Sequence, residues 1–316
     1  MKTLYITRPL PEPVIGAARA AYEVTVRPQT APMSAAEVAA ALAGYDAILP
    51  TLGDPFGAEA FAGEIRARML ANFGVGYNHI DVAAARAAGL EVSNTPGAVT
   101  DATADIAMTL ILMTCRRAGE GERLLRAGRW AGWHPTQLLG FHIGGKTVGI
   151  VGMGRIGKAI ARRCHAGFGM DVVFHNRSPV ADPGVPARQL GSLAEVMQAA
   201  DIVVVAVPAT PQTHHLIDAA ALAEMKPTGF VINIARGDIV DEAALVAALS
   251  EGRIAGAGLD VYEFEPKVPD ALIAMENVTL LPHLGTAALD VRTGMGMMAV
   301  DNLIAHAEGR ALPNPV

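Results

Sequence analysis

Residues 147–177 constrain this chain more than any other stretch. Thr147–Val151 reads TVGIV, a run rich in β-branched residues that predicts a strand. Gly152-Met153-Gly154-Arg155-Ile156-Gly157 follows at once. Lys158–Gly167 then has helical spacing, with Ile160 and Ala161 on one face and arginines on another. Asp171–His175 (DVVFH) reads as a second strand that ends in Asn176-Arg177-Ser178. A lone G-x-G-x-x-G carries little weight, but strand, glycine turn, helix and strand within roughly 30 residues is the context a dinucleotide site requires. In that reading Gly152 permits the tight turn, Gly154 lets the backbone approach a pyrophosphate, and Gly157 lets the helix pack on the strand. The N–H groups near Arg155 and Ile156 lack intrahelical partners and face the phosphates, where the helix dipole favours negative charge.

The end of the second strand is where a ribose is read. An acidic residue there accepts from a free 2′-hydroxyl and repels a 2′-phosphate. This chain has Asn176, Arg177 and Ser178 instead. Arg177 can pair with a phosphate, and its neighbours can donate to it. The expectation is a preference for NADP over NAD.

The chain has 316 residues, 51% hydrophobic and 18% charged, enough for two domains. Its net charge of −6 and the lack of a basic stripe argue against a nucleic-acid partner. Two cysteines, Cys115 and Cys164, sit in apolar helical patterns and read as buried thiols in a reducing compartment. The amino-terminal stretch is too short in apolar residues for a signal peptide, and no run reaches the ~20 of a membrane span. The expectation is a soluble cytoplasmic protein with no membrane partner and no metal site.

Residues 1–95 alternate strands and helices. Strands are expected at Thr3–Thr7, Glu23–Val26, Ala47–Pro50, Leu70–Phe73 and Leu90–Ser93. Helices are expected at Pro11–Ala21, Ser34–Leu42, Ala58–Arg68 and Ile80–Ala88, with Ser34 and Glu37 spaced as a capping box. Glycines after the fourth strand (Gly74-Val75-Gly76) lie where open α/β sheets bind ligands, and the N–H groups of Val75 and Gly76 can hold a small carboxylate. Asn94-Thr95-Pro96-Gly97 breaks the pattern before a long helix, Thr100–Arg117. Gly140–Thr147 matches the phosphate-loop pattern letter for letter but precedes a strand rather than a helix, so it is rejected as a nucleoside-triphosphate site. Later strands are expected at Asp201–Val207, Gly229–Ile234, Gly256–Asp260 and Thr279–Leu281, six in all with the two around the fingerprint. Val207, Pro208 and Thr213 belong to the exit of the first of these, where a nicotinamide or ribose can rest. The helix from Ala287 to about Gly309 is expected to return to the first domain. The fold class is therefore α/β: two Rossmann-like or flavodoxin-like domains with parallel sheets and a cleft between them. Residues 1–96 plus 288–316 form the discontinuous substrate domain, and 97–287 the dinucleotide-binding domain.

Arg236, Glu265 and His283 each follow a strand of the second half. Strand ends on one edge of a parallel sheet converge, so the three can meet although distant in sequence. Arginine holds a carboxylate by paired hydrogen bonds, histidine moves a proton near neutral pH, and a carboxylate beside it favours the imidazolium and fixes the ring.

Over essentially its whole length the chain resembles the D-isomer-specific 2-hydroxyacid dehydrogenases. The matching stretches are Gly74–Asp81 (GVGYNHID), Gly149–Gly157 (GIVGMGRIG), Val231–Asp241 (VINIARGDIVD), Gly256–Asp260 and Leu281–Gly285 (LPHLG). Within the family it looks most like the glyoxylate and hydroxypyruvate reductases. The resemblance implies Arg236, Glu265 and His283 as the catalytic set, with Arg236 and His283 also touching substrate. It implies Asp260 near the nicotinamide amide, Val75 and Gly76 as carboxylate donors, and cofactor contacts from Thr103, Pro208 and Ala235. Leu52, Gly53 and the loop near Trp133 are candidates for the end of the pocket that sets substrate size. A small 2-oxo acid, reduced to the D-2-hydroxy acid, is the expected substrate, and a homodimer the expected assembly. Another dehydrogenase of the same fold, acting on formate or phosphite, and a cofactor-sensing corepressor-like binding protein are the alternatives.

Overall fold

The computed structural model describes all 316 residues, which divide into two compact units: Met1–Val99 with Ala287–Val316, and Thr100–Thr286. In the first unit, strands β1 (Lys2–Ile6), β2 (Tyr22–Val26), β3 (Ala47–Leu49), β4 (Met69–Ala71) and β5 (Glu91–Ser93) form a parallel sheet in the order β2-β1-β3-β4-β5. Both faces are covered, which is why β3 and β4 are apolar along their length rather than alternating. The helix Leu289–Ala307 belongs to this unit. Its Ala299, Val300 and Leu303 pack with Leu4, Ile6 and Val14. Gly296 lets it approach the helix Glu12–Arg19 so closely that a Cβ there would collide with Val14. The Tyr22 hydroxyl donates to the Leu303 carbonyl at 2.7 Å.

The capping box of Ser34 and Glu37 is present and starts the helix Ala35–Gly44. The helix expected over Ala58–Arg68 is not: a single 3₁₀ turn, Ala58–Phe61, is followed by irregular chain. Gly63 weakens any helix there, and the backbone finds partners elsewhere. The Arg66 and Ala67 N–H groups both donate to the Leu42 carbonyl, and the Arg68 N–H donates to that of Asp46. Tertiary hydrogen bonds thus replace the i→i−4 ladder that local spacing favours.

In the second unit the fingerprint strand β6 (Thr147–Val151) is central. With β7 (Asp171–His175), β8 (Ala187–Gln189), β9 (Ile202–Val205), β10 (Phe230–Asn233), β11 (Gly256–Leu259) and β12 (Val278–Leu280) it forms a parallel sheet in the order β12-β11-β10-β9-β6-β7-β8. The sheet has seven strands where six are expected. The extra one, β8, is a three-residue edge strand, exposed at two of its three residues and without an apolar run, so no periodicity marks it. The chain leaves β6 toward β7 and β8, then returns to β9 on the other side. The crevice beyond the carboxyl ends of β6 and β9 is a topological switch point, where sheets of this kind take ligands. The long helix Thr100–Cys115 and the fingerprint helix Arg155–Phe168 pack on one face, through Ala104, Ala107, Met108, Ile111, Ile160 and Cys164. Gly140–Lys146 is loop leading into β6.

Candidate active site

The three fingerprint glycines serve different needs. Gly152 has φ +101°, and a Cβ there would lie 2.7 Å from Val207 Cγ1 and 2.9 Å from the Ala206 carbonyl. A Cβ on Gly157 would collide with the Gly152 carbonyl oxygen. The polypeptide itself therefore requires both. Gly154 has φ −79°, and its hypothetical Cβ has no neighbour within 4 Å. Nothing in the protein demands a glycine there, so the space above it is what a phosphate would fill. Gly154 is also the N-cap of the helix Arg155–Phe168 with no side chain capping it, which leaves the first-turn N–H groups of Arg155 and Ile156 for a ligand. At the end of β7, Asn176 Oδ1 accepts from the Met153 N–H at 3.2 Å and its Nδ2 donates to the Ser178 carbonyl at 2.9 Å. Arg177 is exposed, and no hydrogen bond or ion pair holds it. Across the switch point, Thr213 Oγ1 donates to the Pro208 carbonyl at 2.7 Å and closes the loop after β9, while Val207 packs over Gly152. This donor set, with its open cradle, fits a dinucleotide.

The sheet order then brings the reacting candidates side by side, because β10, β11 and β12 are neighbours. Arg236 follows β10 in a turn built by Asn233, which is 1% exposed: Asn233 Oδ1 accepts from the Ala235 N–H at 3.0 Å, and its Nδ2 donates to the Arg236 carbonyl at 2.8 Å. The next residue, Gly237, rests so tightly on the Tyr262–Glu263 backbone that any Cβ would collide with it. The turn carrying Arg236 is thus pressed onto the segment carrying Glu265. Burial pulls the Arg236 guanidinium below its ordinary range, while the charges of Glu265 and Asp238 hold it up.

Glu265 Oε2 and His283 Nδ1 are 3.0 Å apart, and Glu265 Oε1 accepts from the Tyr262 N–H at 3.1 Å. Burial alone would raise the Glu265 pKa. The His283 bond and charge, the Tyr262 N–H and Arg236 outweigh it, so the group lies below the usual carboxylate range. His283 has φ +54°, a left-handed conformation uncommon for a residue with a Cβ. The remaining candidates surround this pair. Asp260 is buried after β11, and its carboxylate accepts from the Leu284 and Gly285 N–H groups at 2.6 and 2.8 Å. Thr103, also buried, donates to the Gly285 carbonyl at 3.2 Å.

In the first unit, Asn72 Nδ2 donates to the Gly74 and Gly76 carbonyls, both at 3.0 Å, and Asn94 Nδ2 to the Val75 carbonyl at 2.9 Å. With the carbonyls drawn away, the N–H groups of Val75 and Gly76 are left without partners in the chain. Leu52 is half-buried, and its carbonyl accepts from Arg8, whose guanidinium is paired with the fully buried Asp54 at 3.2 Å.

Asn233 and Gly237, which shape the turn carrying Arg236, escape the motif reading, as does the neighbouring pair His215–Glu263, whose Nε2···Oε1 distance is 2.9 Å. Asn233 had a signal, a polar residue ending the apolar run FVIN next to Arg236. Gly237 and His215 had none, because their partners lie 25 and 48 residues away.

The sequence profile of the NAD-binding domain of the D-isomer specific 2-hydroxyacid dehydrogenases matches residues 108–285, which contain the fingerprint, Arg236, Glu265 and His283. The chain belongs to that family. Accordingly it is an NAD(P)-dependent oxidoreductase. The glyoxylate reductase of Thermococcus kodakarensis is 42% identical, over 99% of this chain and 95% of that one. The glyoxylate reductase of Pyrococcus furiosus is 40% identical over 99% and 94%. Among solved structures, a Thermus thermophilus protein superposes with a TM-score of 0.92 at 40% identity, each chain covered to 99%. The NADPH-dependent glyoxylate/hydroxypyruvate reductase of Sinorhizobium meliloti, solved with NADP and malonate, superposes with a TM-score of 0.89 at 37% identity, covering 100% of this dehydrogenase and 96% of that one.

Proposed function

We propose that this dehydrogenase reduces a small 2-oxo acid, glyoxylate or hydroxypyruvate, to the D-2-hydroxy acid, with NADP(H) preferred over NAD(H). The observation that carries the reading is the His283–Glu265 pair beside Arg236, at the strand ends that follow the dinucleotide fingerprint. Glu265 engages Nδ1 of His283, so Nε2 is the atom that gives a proton to the substrate's carbonyl oxygen. Arg236 binds the substrate's carboxylate and stabilises charge developing on that oxygen. The unpartnered N–H groups of Val75 and Gly76 are the proposed carboxylate donors of the first unit. The bound nicotinamide supplies the hydride. Thr103, Pro208, Ala235 and Asp260 are proposed to line its site.

The NADP preference rests on Arg177, exposed and unengaged at the end of β7, with no acidic residue there to repel a 2′-phosphate. A homodimer is supported by Leu125, Trp130, Trp133 and Leu139, which are 50–79% exposed on and after the helix Ala118–Arg126, a helix with no buried residue. A cytoplasmic setting is supported by two buried, unpaired cysteines, whose thiols burial pushes up to about 12. No helix is long and apolar enough to cross a membrane.

Initial rates of NADPH and NADH oxidation with glyoxylate, hydroxypyruvate, pyruvate, formate and phosphite test the reading. Fast turnover of glyoxylate or hydroxypyruvate with NADPH is the expected result. No turnover with any 2-oxo acid, from protein that binds cofactor, would overturn it. Arg177→Ala is expected to raise the KM for NADPH about tenfold or more and leave that for NADH within twofold. Equal effects on both would remove the 2′-phosphate contact.

A further inference from the structure

The turn that presents His283 is held by a residue of the neighbouring strand. After β12 the chain runs Leu281-Pro282-His283-Leu284-Gly285, and His283 takes φ +54°. Such a conformation persists in a residue with a Cβ only when its surroundings over-determine it. Here three successive N–H groups converge on Asp260. The His283 N–H donates to the Asp260 carbonyl at 2.9 Å, that of Leu284 to Oδ1 at 2.6 Å, and that of Gly285 to Oδ2 at 2.8 Å. Asp260 is 1% exposed, so these bonds form away from competing water. The same segment grips the turn twice more. The Tyr262 hydroxyl donates to the Leu281 carbonyl at 2.9 Å, and Glu265 meets the imidazole itself. Gly285 fits where a Cβ would stand 3.4 Å from Asp260 Oδ2.

We propose that Asp260 is the positioning residue of His283: its carboxylate, by accepting from two adjacent N–H groups, imposes the left-handed turn that aims the imidazole and delivers Nδ1 to Glu265. This role differs from contact with the nicotinamide amide, and it rests on the proposed part of His283 in the reaction. A shorter or neutral side chain breaks it in a defined way. Asparagine retains one oxygen but sets an NH₂ group against one of the two N–H donors, so one bond is lost and replaced by an opposed pair of donors.

The test is Asp260→Asn, with three measurements. The kcat for glyoxylate reduction is expected to fall at least tenfold. The Kd for NADPH, followed by cofactor fluorescence, is expected to rise by a smaller factor than kcat falls, since Asp260 is proposed to meet only the nicotinamide end of the cofactor. In cofactor-free protein, the ¹⁵N resonance of His283 Nδ1 is expected to move toward that of an unengaged imidazole. A kcat within twofold, or a loss seen wholly as weaker NADPH binding, overturns the proposal and leaves Asp260 as a cofactor contact. Should the variant not fold, hydrogen exchange of the unaltered protein decides: protection of the Leu284 and Gly285 amides comparable to β11 supports the clamp, and exchange at open-loop rates overturns it. Absence of turnover with every 2-oxo acid strikes the proposed function instead. The Nδ1 resonance and the amide exchange judge the clamp separately, since neither uses substrate.

Discussion

At the residue scale the candidate site holds its charged groups in different surroundings. Arg236 stays cationic, as a guanidinium does at any pH the fold tolerates, and its planar fork suits a carboxylate. Arg236→Lys keeps the charge and loses the paired geometry. We expect kcat/KM for glyoxylate to fall by about 100-fold, roughly 2.7 kcal/mol, with the NADPH Kd unchanged; steady-state rates and fluorescence titration check this. Glu265 gives a prediction about pH. Its folded-state pKa lies below the unfolded value, despite burial, because His283, the Tyr262 N–H and Arg236 favour the carboxylate. A depressed acid contributes stability that is complete above the unfolded value near 4.5 and lost as pH falls through the folded one. Glu265→Gln is therefore expected to cost about 1 kcal/mol at pH 7, with the side chain 33% exposed, and progressively less below about pH 4.5. Urea titrations of both proteins at pH 7 and pH 3.5 read the difference. A gap that does not narrow in acid would separate Glu265's stability role from its charge.

At the element scale the fingerprint glycines make opposite predictions. Gly157→Ala sets a methyl against the Gly152 carbonyl, so the fold itself suffers, by about 1–3 kcal/mol. Gly154→Ala meets nothing in the protein and takes an ordinary φ. It is expected to melt within about 1 °C of the parent, a shift set by near-zero ΔΔG, yet to bind NADPH much more weakly. Differential scanning fluorimetry with and without cofactor distinguishes them: only Gly154→Ala loses the cofactor-induced shift while retaining the parent's apo melting point. The same contrast explains what was legible beforehand. Strands buried on both faces, such as IVVV of β9, declare themselves by composition, and glycine spacing after β6 declares a turn. Ser34 and Glu37 announce a helix start because both partners lie within four residues. The segment 62–68 could not be read, since its backbone bonds go to Leu42 and Asp46, about twenty residues back. Edge strand β8 was invisible for want of any apolar period. At the candidate site, the convergence of Arg236, Glu265 and His283 at neighbouring strand ends was legible. The contacts that shape their turns were not, because Gly237 meets the Tyr262–Glu263 backbone, and the turn of His283 meets Asp260, Tyr262 and Glu265, all distant in sequence.

At the scale of the whole molecule, both units use one electrostatic device to start their sheets. In the first, Asp46 precedes β3 and its carboxylate accepts from the Thr3 N–H of the adjacent β1 at 2.7 Å, with Arg66 as counter-charge at 2.9 Å. In the second, Asp201 precedes β9 and accepts from the Thr147 N–H of the adjacent β6 at 2.9 Å, with Lys226 at 2.8 Å. Each pair satisfies an N–H that the ladder leaves open at the strand's beginning, and a charged acceptor strengthens the bond. Burial raises both acids, and the N–H and cationic partners more than reverse it, so both lie below their ordinary value near 3.8. By linkage each carboxylate stabilises its unit fully above that value and ceases to do so as pH falls through the depressed one. Asp46→Asn and Asp201→Asn are each expected to cost about 1–2 kcal/mol at pH 7, since a hydrogen bond to a charged group is lost. Both penalties should shrink below about pH 3.8, where the parent's own carboxylates protonate. Hydrogen exchange in urea, read by mass spectrometry on peptides from β1 and from β6, follows the two units separately. Asp201→Asn should therefore shift the urea midpoint read on β6 at pH 7 and leave that of β1 in place, and Asp46→Asn should do the reverse. Equal shifts of both peptides by either variant would mean that the two units unfold as one cooperative body.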